Sequence, residues 1–241
     1  MLTNKTSKLS LAITIAALST GLAFQRPQTP PPSRDLELSV RGDMFAGFAG
    51  DSAALDRAMN ACEDALARDP KDPPALVWHA TGIYFRSGVA FRSGDIATGT
   101  QLLAQARKEM DEGVALRPDG VEVLIPRATV LQSQAAHIPD PETARRVLQV
   151  STNDFEKILK LQADDFANLP LHSRGELLGG LAEGWNGLGD TEKARAYLTR
   201  ITKELPKTPY AEKAAAALAA NSLPRPMGIT CIGCHVNYNK K

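Results

Sequence analysis

Cysteine is scarce in this 241-residue chain: there are three, too few for a four-cysteine zinc site. Charge of one sign is not in excess either. With 28 basic against 27 acidic residues, neither a nucleic acid nor a membrane surface is the expected main partner. The longest uncharged apolar run near the start, Leu9 to Leu18, falls short of the ~20 residues a bilayer span needs. Strand signals are missing as well, since no Asn-Gly or Asp-Gly pair separates alternating runs and β-branched residues are scattered. No Ser-His-Asp order, phosphate-cradling glycine loop or metalloprotease helix is present to support those chemistries. What remains, with aromatics at 5% and alanine abundant, is an all-α body of closely packed helices with enough apolar content to bury a core.

The N-terminal segment reads as an export signal. Lys5 and Lys8 precede the Leu9–Leu18 run, and small residues Ser19, Thr20, Gly21 and Ala23 follow it. Residues 1–23 are therefore expected to be a signal peptide, the alternative being an uncleaved segment that tethers the protein to a membrane. Residues 24–34, containing the proline-rich run Gln25 to Ser33, read as an extended tether. The expected location is the bacterial periplasm or another exported compartment.

The other end carries Cys231-Ile232-Gly233-Cys234-His235. Two thiols at this spacing can each add across a vinyl group of haem, and the adjacent imidazole can take the proximal axial position on iron. The expectation is one covalent haem c per chain, on Cys231 and Cys234, with His235 as axial ligand. The same spacing serves a thioredoxin-like redox pair, half of a zinc site, or a disulfide. A redox pair expects a helix N-terminus in a βαβ pattern, and a zinc site expects a second ligand pair; neither context is evident. Only Val236 to Lys241 follow the motif, so nothing local can wrap a haem. The run Gly228-Ile229-Thr230-Cys231 through Asn237 resembles the haem-binding segments of reaction-centre-type multihaem cytochromes, without their upstream methionine helix; the resemblance implies haem attachment and no more. Pro224 and Pro226 stiffen the approach, making residues 222–241 a short haem-bearing tail.

Between the two ends a repeat is visible. Leu178, Leu181, Ala182, Trp185, Gly189, Ala194, Leu198, Ile201 and Pro206 form one helix-turn-helix pattern. Its second half recurs as Ala58, Cys62, Ala65, Pro70, as Ala106, Met110, Gly113, Pro118, and in degraded form as Ser151, Phe155, Ile158. Its first half recurs as Trp78, Gly82, Phe85 and as Leu124, Ala128, Leu131. The pattern resembles the tetratricopeptide repeat. That resemblance implies a right-handed α-solenoid of about four helix pairs plus a capping helix near Tyr210 to Ala220, spanning residues 35–221, with a concave groove that takes protein partners. The spacing departs from the family's: Leu178 to Ala194 spans 16 positions, whereas Trp78 to Ala106 spans 28 and Leu124 to Ser151 spans 27. Those extra residues are expected either in loops, around Phe85 to Gly94 and His137 to Pro141, or in longer helices.

The repeat register assigns Cys62, Met110, Phe155 and Leu198 to equivalent core positions of the second helices, which removes Cys62 and Met110 from redox or ligand roles. Trp78 and Trp185 read as core aromatics, and Glu63-Asp64 and Glu109-Asp111-Glu112 as solvated faces. Candidates for a sixth iron ligand are His137 in the second insertion, which is preferred, His79, His172, and Met227, whose backbone has only four residues in which to round the haem.

The function expected is that of a non-enzymatic electron carrier: an exported monohaem c-type cytochrome docked to other redox proteins or cytochromes through its repeat groove, alone or in an oligomer. One alternative is a periplasmic assembly scaffold whose haem or Cys-x-x-Cys pair is structural. Another is a haem protein with an open sixth site acting on peroxide or another small ligand.

Overall fold

Aspartate begins most of the helices. A computed structural model describes residues 34–220 and 222–229, all within the unit 32–241. The described residues form α1 (Arg34–Phe48), α2 (Ser52–Arg68), α3 (Pro73–Arg92), α4 (Ile96–Leu116), α5 (Val121–Ala135), α6 (Pro141–Leu161), a 3₁₀ turn (Ala163–Asn168), α7 (Leu171–Leu188), α8 (Thr191–Glu204) and α9 (Pro209–Ala219). No strand occurs among them. The Asp51, Asp72, Asp95, Asp140 and Asp190 carboxylates each accept the backbone N–H three residues on, at 2.8 to 3.1 Å. Each cap satisfies one of the donors that a helix start leaves without an intrahelical partner. The turns before α2, α4 and α8 share a Gly-Asp pair in which Gly50, Gly94 and Gly189 take positive φ, and Gly189 closes α7 in the left-handed conformation. Pro70, Pro118 and Pro206 fall two residues past the ends of α2, α4 and α8, where they cannot continue a helix.

Packing follows chain order. α1 lies against α2, α3 against α4, α5 against α6 and α7 against α8, and each second helix also touches the next first helix, ending with α8 on α9. The first helices α1, α3, α5 and α7 touch one another in the same order. Small residues set the spacing within pairs. Ala58, Ala106, Ser151 and Ala194 of the second helices are buried, and a Cβ on Gly113 would stand 2.6 Å from the Val77 side chain. Cys62, Met110, Phe155 and Leu198 are buried in the core, as the register expects.

One open alternative is decided and two local expectations change. The extra residues of the second and third pairs lie mostly in longer helices: α3 and α4 run for 20 and 21 residues and meet at Ser93-Gly94-Asp95, so Phe85 to Gly88 is helix and not loop. Of the second insertion only residues 136–140, which include His137, stand between helices. Trp78 is core, but Trp185 is half-buried, with its indole N–H on the Glu156 carboxylate at 2.7 Å and the Lys193 ammonium 3.7 Å from its ring centre. Glu109 is not a solvated face; its side chain is largely covered and binds His79.

Candidate functional site

Beyond α9 the chain turns back as an arm, Ser222 to Ile229, and its apolar residues explain why it lies on the body. Leu223 and Ile229 are buried in the core cluster, Ile229 completely, and Met227 packs partly against the same cluster. The arm's polar backbone then needs partners, and α7 and α9 supply them. Asn186 donates from its side-chain amide to the Pro224 carbonyl at 2.9 Å, while Arg225 donates to the Asn186 backbone carbonyl in the last turn of α7. One turn earlier on α7, the two Glu183 oxygens accept the backbone N–H groups of Met227 and Ile229, at 3.2 and 3.1 Å. From α9, Lys213 donates to the Gly228 carbonyl at 2.6 Å. Successive arm residues thus meet successively earlier residues of α7. The arm runs antiparallel to that helix, from Asn186 past Glu183.

Cys231, Cys234 and His235 lie outside the described residues, as does the N-terminal segment 1–33. Ile229 stands two residues before Cys231 in the sequence, so the Cys-x-x-Cys-His run begins just after the arm's last anchored residue.

The candidate sixth ligands are in different situations. His79 is enclosed by three helices: its Nδ1 is 2.7 Å from Glu109 of α4, its Nε2 is 3.7 Å from Glu63 of α2, and its side chain is 12% exposed. Its Nδ1 is therefore engaged by Glu109, and Glu63 stands near the other nitrogen beyond hydrogen-bond distance. His137 pairs its Nδ1 with the Ser133 carbonyl at 2.9 Å, in the α5–α6 turn. His172, in the first turn of α7, pairs its Nδ1 with the Tyr210 hydroxyl at 3.0 Å, and its Nε2 makes no hydrogen bond to the described residues. Met227 is tied by its own N–H to Glu183. The arm's seat on Glu183, Asn186 and Lys213 is the part that sequence reasoning missed. The two prolines and the apolar Leu223 and Ile229 hint that the arm is ordered, but nothing local marks Glu183 as its acceptor.

A second feature lies on α6, α7 and α8: an open groove of about 560 Å³ lined by Glu156, Trp185, Lys193, Ala196, Tyr197 and Arg200. Its polar groups already serve one another. Trp185 and Tyr197 donate to the same Glu156 oxygen, at 2.7 and 2.9 Å, and burial together with that carboxylate pushes the Tyr197 hydroxyl above its usual range.

No family model, curated protein or solved structure matches the chain. Among the described residues no group of three or more His, Cys, Asp or Glu side chains could hold a metal ion, and no helix is long and apolar enough to cross a membrane.

Proposed function

We propose that the protein is an exported monohaem c-type cytochrome whose tetratricopeptide-like solenoid carries haem c on Cys231 and Cys234, with His235 as the proximal ligand. The observation that carries this reading is the Cys231-Ile232-Gly233-Cys234-His235 run, which begins two residues after Ile229, the buried last residue of the seated arm. When bound, the iron would alternate between ferric and ferrous states, taking one electron from a reduced partner protein and passing it to an oxidised one. The chain's own part is to hold that group at the α7–α9 side and to offer protein partners a helical surface. The order of helix contacts, each pair meeting the next, supports the solenoid assignment.

The arm's direction favours His172 as the sixth ligand over the His137 preferred on spacing grounds. From Asn186 to Glu183 the described arm runs toward the N-terminal half of α7 and away from the helix end to which α6 is joined by the Arg145 bond to the Leu188 carbonyl, the end of α6 that follows the α5–α6 turn and His137. His172 is eleven residues from Glu183, about 16 Å along the helix at 1.5 Å per residue. The six residues from Ile229 to His235 can span up to about 20 Å. Absorption spectra of protein matured in an exporting host provide the test. The wild type is expected to show low-spin six-coordinate iron, His172→Ala to convert it to high spin, and His137→Ala to leave it unchanged. High-spin iron in the wild type would favour the open-site reading, and absence of covalent haem would favour a helical scaffold.

A further inference from the structure

The arm's seat is specific in a way that simple apolar burial does not require. Pro224 and Pro226 have no N–H to satisfy. Beyond them the N–H groups of Met227 and Ile229 converge on a single carboxylate, with Gly228 between them at φ +62 in the left-handed region. Backbone N–H groups brought together by a left-handed residue form a concavity that binds anions, and here the anion is the Glu183 side chain. Each bond to an ionised acceptor is stronger than a neutral one. On the opposite side the Gly228 carbonyl receives the Lys213 ammonium, so one peptide turn is held between an anion on α7 and a cation on α9. The charges match the backbone polarity: carboxylate to N–H, ammonium to C=O.

We propose that Glu183 is a positioning residue for the haem: it fixes the turn at Met227–Ile229, with Lys213 bracing the other side, so that the attachment motif leaves the body from one place and in one direction. This inference rests on the cytochrome reading, since a rigid exit matters for a bound redox group. A haem on a free tail would meet partners in many orientations. A haem borne on a seated arm would start from a fixed point beside α7 and α9, and ligation by a side chain of the body would then cost less ordering of the chain.

The test compares the full-length exported protein with Glu183→Ala, Glu183→Gln and Gly228→Val. In the wild type the Met227 and Ile229 amides should exchange slowly with deuterium. Glu183→Ala should speed both by about tenfold or more, the effect of losing bonds to a charged acceptor, while amides of Leu178 and Leu181 in the middle of α7 stay protected. Glu183→Gln, which retains one acceptor oxygen, should fall between. Gly228→Val, disfavoured at positive φ, should act like Glu183→Ala without touching α7. Covalent haem should remain in all variants, while the Soret circular dichroism and the low-spin fraction fall in step with amide protection. Fast exchange at Met227 and Ile229 in the wild type would overturn the proposal. So would variants that lose protection yet keep the wild-type haem spectra, because the seat would then be structural only. A wild type without haem would instead remove the cytochrome reading, and the exchange data would still report on the seat itself.

Discussion

Arg127 of α5 grips Asp154 of α6 with two parallel hydrogen bonds, Nε to Oδ2 at 2.8 Å and Nη2 to Oδ1 at 2.7 Å. Both side chains are largely covered, at 13% and 8% exposure, while the third member, Asp111 of α4, is 70% exposed and 3.1 Å from Arg127. The pair joins the two helices of the third pair, and its arginine reaches back to the second. Replacing Arg127 by Ala leaves a buried carboxylate without its partner and should cost about 3–5 kcal/mol of stability. Asp111→Ala breaks only an exposed pair and should cost less than about 1 kcal/mol. Urea denaturation midpoints of the two variants measure the difference, and equal losses would contradict this account of the cluster.

Acid should weaken the helix caps. The Asp95 carboxyl is held below its usual range by the Thr98 backbone N–H and then the Thr98 hydroxyl; Asp140 is lowered in the same way by Thr143, through its side chain first, with a further contribution from Arg146. A carboxyl with a depressed folded-state pKa contributes stability that is present above the unfolded value of about 3.9 and is lost as pH falls through the folded value. Asn caps helices about as well as Asp but does not titrate. The double variant Asp95→Asn with Asp140→Asn should therefore match the wild type in thermal stability near neutrality and lose less of it below about pH 4. Parallel pH profiles for the two proteins would refute the assignment.

Thiol counting separates the cysteines. Cys62 has no exposed surface, and burial, reinforced by the carboxylates of Glu63, Asp72 and Glu109, pushes its thiol up to about 12. At pH 8 it should therefore react with a disulfide reagent only after unfolding. If Cys231 and Cys234 are thioether-linked, the exported protein should show no reactive thiol when folded and one per chain in denaturant. Three in denaturant would mean that no haem is attached.

Removing a cap gives a local measure of the α7–α8 turn. Asp190→Ala should destabilise the protein by about 1 kcal/mol through the start of α8, whereas Asp190→Asn should be close to neutral. Thermal melts of the two variants, run side by side, check the difference.

The second helices were the most legible part of the sequence. Ala58 and Cys62, Ala106 and Met110, Ser151 and Phe155, Ala194 and Leu198 each place a small residue and a larger one four apart, and that spacing puts both on the buried face of a helix. The insertions were half legible. Residue counts between repeats show that residues are added, but not whether they extend the helical ladder, and Gly88 reads as a turn although α3 runs through it to Arg92. The better turn signal was the recurring Gly-Asp at 50–51, 94–95 and 189–190, where a left-handed glycine precedes a capping carboxylate. Tertiary partners stayed hidden for the same physical reason throughout. Glu109 reads as a solvated acid until α3 brings His79 beside it, and nothing in the sequence singles out Glu183, over which the arm returns.

Intact-mass measurement of the protein matured in an exporting host, purified under denaturing conditions, tests the central claim most directly. The account predicts a processed chain heavier by the mass of one haem, retained through denaturation because both thioether bonds are covalent. A chain at its unmodified mass, from a host that attaches haem to a known c-type cytochrome in parallel, would contradict it.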